Sequence, residues 1–315
     1  MFSIMNISED QILEKLKTKL WNIELEHPLV LGAGIAKNIS GPEGLEGYLT
    51  KVNASLLICG SITMKPFSGN SGEVCWLEPN GNFILNRMGL PNKGINELDN
   101  LPTIKQKLIG ISVAAINPVY AGYCADQYVN LTHMAFLKHA DMVELNLSCP
   151  NLDEPLCFDI QLVDGILFRL SKFFPSNDYN ICVKVSPFSS GKQIQQLATL
   201  INEYPIIKGV STMNTFPNAL YYQKDKPVIS SNDGLAGLSG SSIFPIALGQ
   251  VAQWRKHLSS DKYIIGGGGV TTAQNVLDMR RAGANAVFMV SAVLTHQPRI
   301  FDQILNNLID HYSEN

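Results

Sequence analysis

A short polar segment, Glu144-Leu-Asn-Leu-Ser-Cys-Pro-Asn151, ends an apolar run and places a thiol between two amides. Pro150 has no backbone donor and ends the strand directly after Cys149. Polar surroundings can lower the pKa of a cysteine from about 8.5 towards neutrality, and the thiolate can then take a proton from an activated carbon. The flanking amides of Asn146 and Asn151 can bind a planar substrate. We therefore predict that Cys149 is a catalytic base, against the alternative that it is a small buried hydrophobic residue.

A single lysine interrupts another apolar run. Lys184 is the only charged residue within Ile181–Val185, so its ammonium is expected to face a group that needs a cation. The alternative is a lysine on an edge strand that points to solvent. Cys124 and Cys157 are interpreted as packing residues.

Glycines cluster late in the chain, at Gly266 to Gly269, and the next strand ends at Ser291-Ala292. Backbone N–H groups at such strand–helix turns commonly bind phosphate in parallel barrels. The run lacks the context and the ribose-binding acid of a dinucleotide fingerprint, which favours a mononucleotide over NAD. A plain strand–helix turn is the alternative.

Three amides, those of Asn86, Asn146 and Asn214, follow different predicted strands. Each offers a donor and an acceptor, so together they would match the edges of a pyrimidine ring, with Thr215 adding a hydroxyl. Turn asparagines that bind their own backbone are the alternative.

Short apolar strands that alternate with amphipathic helices must position these residues. The predicted strands are Pro28–Gly32, Ala54–Cys59, Leu108–Ala114, Asp141–Leu147, Asn180–Val185, Ile207–Met213, Tyr263–Gly266 and Ala284–Val290. The predicted helices lie near 41–52, 95–107, 118–139, 159–174, 190–204, 242–258, 271–282 and 298–312. Eight strand-then-helix units predict an α/β fold, a closed (β/α)8 TIM barrel.

The rest of the chain is expected to belong to the same unit, a single domain over residues 1–315 with a helical extension at 1–27. Ser8 and Gln11 form a predicted capping box for a helix through about Leu20. Two long connections, from Gly60 to about Ile84 and from Asn214 to about Ser241, leave the carboxyl ends of strands. We expect them to cover the active site.

The composition excludes several other classes. The chain has a net charge of −3 and no long run of Lys and Arg, which argues against nucleic-acid binding. Its six cysteines form no CxxC pair, which argues against a zinc site or an iron–sulfur cluster. No apolar run reaches the roughly 20 residues of a spanning helix. A cytoplasmic protein with reduced thiols and no metal or membrane contact is expected.

The segment from Glu144 to Asn151 resembles the dihydroorotate dehydrogenases, specifically their soluble branch, which uses cysteine where the membrane-associated branch uses serine. Five further segments match in order: Asn86-Arg-Met-Gly-Leu-Pro-Asn92, Val183-Lys184-Val185, Met213-Asn214-Thr215, Gly237-Leu-Ser-Gly240 and Ile264-Ile-Gly-Gly-Gly-Gly-Val270. Together the matches span about residues 28 to 295.

The resemblance implies an FMN-dependent oxidation of dihydroorotate to orotate in pyrimidine biosynthesis, with Cys149 as base, and suggests a homodimer. It assigns substrate binding to Asn86, Met88, Gly89, Leu90, Asn146, Asn151, Asn214 and Thr215. It assigns FMN binding to Ala33, Gly34, Ser61, Asn146, Lys184, Gly240, Gly268, Gly269, Ser291 and Ala292. A soluble acceptor such as fumarate is the expected electron acceptor, with a partner chain carrying an iron–sulfur cluster as the alternative.

The sequence departs from the family at the substrate carboxylate. The family lysine before a Ser/Thr pair is replaced by Gly60, and Lys65 is the nearest candidate to compensate. Loss of a charge-assisted hydrogen bond would weaken binding of a carboxylated substrate by roughly 10- to 150-fold. Ser291-Ala292 stands where the family has Gly-Thr, and Arg87 resembles the membrane branch.

Two alternatives to dihydroorotate oxidation stay open. One is the same chemistry on a neutral dihydropyrimidine or another uncarboxylated ring, which Gly60 favours. The other is a flavin-binding protein with little turnover.

Overall fold

The computed structural model describes residues 8–102, 107–116, 121–148, 155–176 and 178–314. Its strands, in chain order, are β1 (Thr18–Leu20), β2 (Ile23–Leu25), β3 (Leu29–Leu31), β4 (Leu56–Ile62), β5 (Cys75–Leu77), β6 (Ile84–Asn86), β7 (Leu108–Val113), β8 (Met142–Asn146), β9 (Ile181–Val185), β10 (Ile207–Thr212), β11 (Phe216–Ala219), β12 (Tyr222–Gln223), β13 (Lys226–Pro227), β14 (Ala236–Ser239), β15 (Tyr263–Gly267) and β16 (Ala286–Met289).

The α-helices are α1 (Glu9–Leu16), α2 (Leu45–Lys51), α3 (Ala121–Leu137), α4 (Ile160–Phe173), α5 (Gly191–Glu203), α6 (Phe244–His257), α7 (Ala273–Arg281), α8 (Ser291–His296) and α9 (Ile300–Glu314). Short 3-10 helices lie at Ile95–Asn100, Leu156–Phe158, Asn232–Gly234 and Ser241–Ile243.

Eight parallel strands close the predicted barrel, in the order β10-β15-β16-β3-β4-β7-β8-β9. All eight predicted strands are confirmed, and so is the (β/α)8 fold class. The strands are nearly continuous apolar runs because both of their faces are buried, inside the barrel and against the helices. One apolar cluster fills the barrel interior, and a larger one lies between the barrel wall and the surrounding helices.

Local capping fixes where several helices begin. The side chain of Asp159 accepts from the N–H of Leu162 at the start of α4, and Thr272 accepts from Asn275 N–H at the start of α7. Such caps satisfy backbone donors that have no partner within the helix. They explain why these helices could be placed from the sequence.

The amino-terminal extension differs from the prediction. The capping box of Ser8 and Gln11 is present, but α1 ends at Leu16 instead of continuing to about Leu20. Residues 18–25 form an antiparallel hairpin of β1 and β2. Its apolar side chains Leu20, Ile23 and Leu25 pack into the cluster inside the barrel, which explains why the helix does not continue into this segment. The hairpin therefore contributes to the barrel core.

The helix predicted near 95–107 is also wrong in kind. The structure has a six-residue 3-10 helix at Ile95–Asn100, and residues 103–106 lie outside the described part of the chain. Glu97 in this helix accepts from the N–H groups of Ile39 and Ser40 at 3.1 and 3.0 Å. The segment is therefore held by a cross-link to the loop after β3.

The two long connections form a second layer at the carboxyl end of the barrel. Four of their strands combine into one antiparallel sheet of order β11-β14-β6-β5, which we call the cap sheet, while β12 and β13 form a separate two-stranded sheet. Each connection thus supplies half of a shared sheet. None of the described helices combines the length and apolar character needed to span a bilayer.

Candidate active site

Polar side chains replace apolar ones at the carboxyl end of the barrel interior. Strand register places Asn146 beside Lys184, Lys184 beside Ser211, and Ser112 beside Glu144. Paired residues on neighbouring strands point to the same face, so these side chains share the interior. They form a polar layer above the apolar cluster that fills the barrel interior.

Asn146 is the centre of a buried hydrogen-bond chain at the end of β8. Its amide donates to the Ser61 hydroxyl at 2.8 Å, and Ser61 bonds to the Ser112 hydroxyl at 2.9 Å. Its amide oxygen accepts from the Ser148 N–H at 3.2 Å and from the Ser148 hydroxyl at 2.6 Å. Two predicted site residues, Asn146 and Ser61, are therefore in direct contact.

Ser148 extends this chain to a third predicted residue. The Asn214 amide donates to the Ser148 hydroxyl at 2.9 Å, and the Asn214 oxygen accepts from the N–H of Thr215. Sequence reasoning missed Ser148, although its place between Asn146 and Cys149 was a signal. The amides of Asn146 and Asn214 are held together by one hydroxyl.

Lys184 points into the barrel and is only 6% exposed, so the solvent-facing alternative is wrong. Its ammonium lies 3.7 Å from a carboxylate oxygen of Glu144 and 5.4 Å from the centre of the Phe288 ring. Glu144 is 1% exposed, and that oxygen has no hydrogen-bond partner among the described residues. Glu144 was missed, although its two-residue spacing from Asn146 puts both on the inner face of β8.

Asn86 lies on the cap sheet and not at the end of a barrel strand. It pairs with Cys75 on one side and Gly237 on the other. A Cβ at Gly237 would lie 2.1 Å from the Thr215 hydroxyl, so the barrel loop carrying Thr215 touches this face of the sheet. The fold thereby brings Asn86 and Thr215 together over the barrel mouth.

The loop after Asn86 contains the predicted residues Met88, Gly89 and Leu90. The Met88 carbonyl accepts from the N–H of Asn70 at 3.0 Å. Gly89 has φ +72° and Leu90 has φ +56°. A Cβ at Gly89 would meet the Asn70 backbone at 2.7 Å, so only glycine fits this turn.

The end of β4 is joined to the same loop by Asn92, whose amide oxygen accepts from the N–H groups of Thr63 and Gly94 at 3.2 and 2.8 Å. The Lys65 carbonyl accepts from the Thr63 hydroxyl, while the Lys65 side chain is exposed. Lys65 makes no ion pair within the described residues.

The predicted phosphate loops meet each other. Gly240, Gly268 and Gly269 have φ values of +104°, +128° and +76°. A Cβ at Gly269 would lie 2.6 Å from the Gly240 carbonyl oxygen. The N–H groups of Gly268 and Gly269 donate to no other group of the described chain. Free backbone donors in a glycine cradle fit a phosphate group.

The other predicted cofactor residues lie beside the neighbouring strand end. Ala33 and Gly34 follow β3, and a Cβ at Gly34 would lie 3.7 Å from a methyl group of Val290. Ser291 and Ala292 open α8 directly after Val290. The first N–H groups of a helix have no partner within it, so they remain available. Their backbone N–H groups could hold a phosphate group.

Gly60 has a backbone that excludes a side chain. Its φ is +118°, and a Cβ there would lie 2.4 Å from the Ser112 carbonyl oxygen. The Gly60 N–H donates to the Ala36 carbonyl at 2.8 Å, which holds the loop after β3 against this point. With this backbone, a lysine side chain at position 60 would collide with the Ser112 carbonyl.

Cys149 and Asn151 lie outside the described residues. The preceding chain is fixed, since Leu147 N–H donates to the Lys184 carbonyl at 3.0 Å.

The five described cysteines make poor bases. Burial raises the pKa of Cys124 to about 12 and that of Cys157 to about 11, and it raises the pKa of Cys59, Cys75 and Cys182 as well. Both Cys124 and Cys157 are fully buried, as expected for packing residues. None of these five thiols is a source of thiolate at neutral pH.

A family model described as dihydroorotate dehydrogenase matches residues 15–311. A probable dihydroorotate dehydrogenase A (fumarate) of Enterococcus faecalis is 28% identical over 269 residues, covering 82% of this chain and 83% of that protein. The dihydroorotate dehydrogenase (fumarate) of Kluyveromyces lactis is 30% identical over 233 residues, 71% of each chain.

A solved structure shows the same fold. The Eimeria tenella DHODH in complex with ferulenol superposes with a TM-score of 0.79 at 18% identity, covering 98% of this chain and 87% of that one.

Proposed function

Because this chain belongs to the dihydroorotate dehydrogenase family, we propose that it oxidises dihydroorotate to orotate with bound FMN. Its relatives make it an oxidoreductase that acts on a CH–CH bond. The observation that carries the proposal is a series of hydrogen bonds that runs from Asn146 through Ser148 to Asn214. Asn86 and Thr215 lie above it. It presents several amide and hydroxyl groups to one space, as recognition of a pyrimidine ring requires.

Cys149 is the proposed base, and its thiolate takes the proton from C5 of the substrate ring. The fixed positions of Leu147 and Ser148 at the end of β8 support this role, because barrel enzymes carry their catalytic residues at the carboxyl ends of the strands. A general base at a reacting carbon typically contributes 100- to 10,000-fold to the rate.

Bound FMN would supply the hydride acceptor for C6 of the ring. The cradle of Gly240, Gly268 and Gly269 and the start of α8 at Ser291 would hold its phosphate. The Lys184 ammonium, deep in the barrel, would face the flavin edge that becomes negative. This role is electrostatic and moves no proton.

The test is anaerobic mixing of FMN-loaded protein with (S)-dihydroorotate, which should bleach the flavin absorbance. Cys149→Ala should slow the bleaching by about 100- to 10,000-fold while orotate still binds. Cys124→Ala, which removes a buried thiol of α3, is the matched control and should bleach at the wild-type rate. A protein that cannot be reconstituted with FMN would refute the proposal.

We propose fumarate as the electron acceptor, because the matched relatives are described as fumarate-type dihydroorotate dehydrogenases. Fumarate should reoxidise the reduced protein. Failure of fumarate together with rapid reoxidation by a partner chain would favour the alternative acceptor.

A cytoplasmic homodimer is also proposed. Tyr221 and Tyr222 on the cap connection are 40% and 58% exposed, and Tyr221 stacks on Trp76 at 4.8 Å. Exposed aromatic surface of this kind commonly marks an interface. Light scattering should give twice the chain mass.

Gly60 favours a second candidate, the same reaction on an uncarboxylated ring, because residue 60 offers no cation. Dihydrouracil should then bleach the flavin while dihydroorotate does not.

A further inference from the structure

The carboxylate of dihydroorotate needs a cation that Gly60 does not provide. Resting on the proposed function, we propose that Lys37, from the loop after β3, binds the substrate carboxylate in place of the missing lysine. Lys37 is contributed by a different barrel strand from Gly60, so the replacement is not visible as a match in the sequence.

The loop that carries Lys37 lies directly against the vacated position. The Ala36 carbonyl accepts from the Gly60 N–H at 2.8 Å, and the Asn38 carbonyl accepts from the Cys59 thiol at 3.3 Å. The residues on both sides of Lys37 therefore touch the end of β4.

The charge of Lys37 also reaches the cap sheet. Burial raises the pKa of the Cys75 thiol, and the Lys37 ammonium partly offsets that rise. Cys75 is the register partner of Asn86, so its side chain shares a face with this predicted substrate amide. Lys37 therefore belongs to a loop that contacts Gly60, and its charge acts on the residue that pairs with Asn86.

Lys37 is half-buried, and no carboxylate pairs with it within the described residues. The neighbouring cations are engaged or turned outward. Lys184 forms an ion pair with Glu144, and Lys93 forms one with Glu97. Arg87 donates a hydrogen bond to the Leu235 carbonyl, and the Lys65 side chain is exposed. A half-buried cation without a counter-ion is suited to an anionic ligand.

Calorimetric titration of the FMN-loaded full chain with orotate and with uracil tests the assignment, because uracil lacks the carboxylate. Lys37→Met should weaken orotate binding by about 10- to 150-fold and leave uracil binding unchanged. Lys37→Arg keeps the charge and should stay within a few-fold of wild type. Lys65→Met is the matched control and should bind orotate as wild type does.

Unchanged orotate affinity in Lys37→Met would overturn the assignment, as would equal losses for orotate and uracil, which indicate a general disruption. A loss in Lys65→Met alone would transfer the role to Lys65. In all three cases the proposed function survives, since orotate still binds the wild type. A wild-type protein that binds neither compound refutes the proposed function itself, and the Lys37 assignment with it.

Discussion

The barrel rim and the cap sheet meet at one site but are built differently. On the rim, Asn146 and Lys184 are 5% and 6% exposed, and side-chain hydrogen bonds or a buried ion pair hold them. On the cap, Asn86 lies at the end of a three-residue strand and is only partly buried. Rigid strands therefore fix the buried polar groups of the rim, while the connections carry the more exposed ones.

Breaking the buried ion pair of the rim should give the largest effect. Lys184→Met leaves the Glu144 carboxylate buried without a counter-charge, so the free energy of unfolding should fall by about 3–5 kcal/mol. Urea denaturation of the variant and the wild type measures this loss of unfolding free energy. The double variant Lys184→Met with Glu144→Gln should recover part of the loss.

The exposed pair of Lys19 and Glu24, also 3.7 Å apart, is the control for that pair. Its removal should cost at most about 1 kcal/mol. Equal costs for the two pairs would show that burial does not distinguish them.

Acid should weaken the barrel at His27, a residue type that the cap connections lack. Burial lowers the pKa of His27, directly before β3, from 6.5 to about 4. The unfolded chain binds the proton more readily, so stability falls as pH drops from 6.5 to about 4, by about 3 kcal/mol at 1.36 kcal/mol per unit.

Urea denaturation at pH 7 and pH 4 tests this. In His27→Asn that part of the decline should be absent, whereas His296→Gln, which removes an exposed histidine, should retain it. A wild-type curve that is flat over this range contradicts the prediction.

Removal of one hydroxyl from each region tests the comparison directly. Ser148→Ala leaves the buried amide of Asn146 and the partly buried amide of Asn214 without their shared hydroxyl, so we expect a loss of about 1–3 kcal/mol in unfolding free energy. Ser239→Ala removes a 3.5 Å bond on the cap sheet and should cost less than about 0.5 kcal/mol. Similar losses at both positions would argue against a difference between the regions.

The smallest change in stability is expected on the cap. Asn86→Ala should leave the unfolding free energy within about 0.5 kcal/mol of wild type. Its orotate affinity should fall by about 2- to 12-fold, through loss of one neutral hydrogen bond. Calorimetry measures the affinity, and an unchanged value would remove Asn86 from the proposed site.

The sequence alone determined the eight barrel strands and most of the helices around them. Their signals are local, because a run such as Ile181–Val185 combines β-branched residues with burial, and caps such as Asp159 mark a helix start. The sequence also placed the motif containing Asn146 at the end of a barrel strand, and the carboxyl ends of all barrel strands lie at one face.

Only the tertiary structure decided how these parts combine. Residues 18–25 form a hairpin instead of part of the predicted helical extension, because their apolar side chains pack into the barrel interior. Pairing within the cap sheet, the contact of Glu144 with Lys184 and the closed space at Gly60 depend on residues far apart in the chain. Propensity and periodicity act over a few residues, whereas register and close approach are set by the packing of the whole barrel.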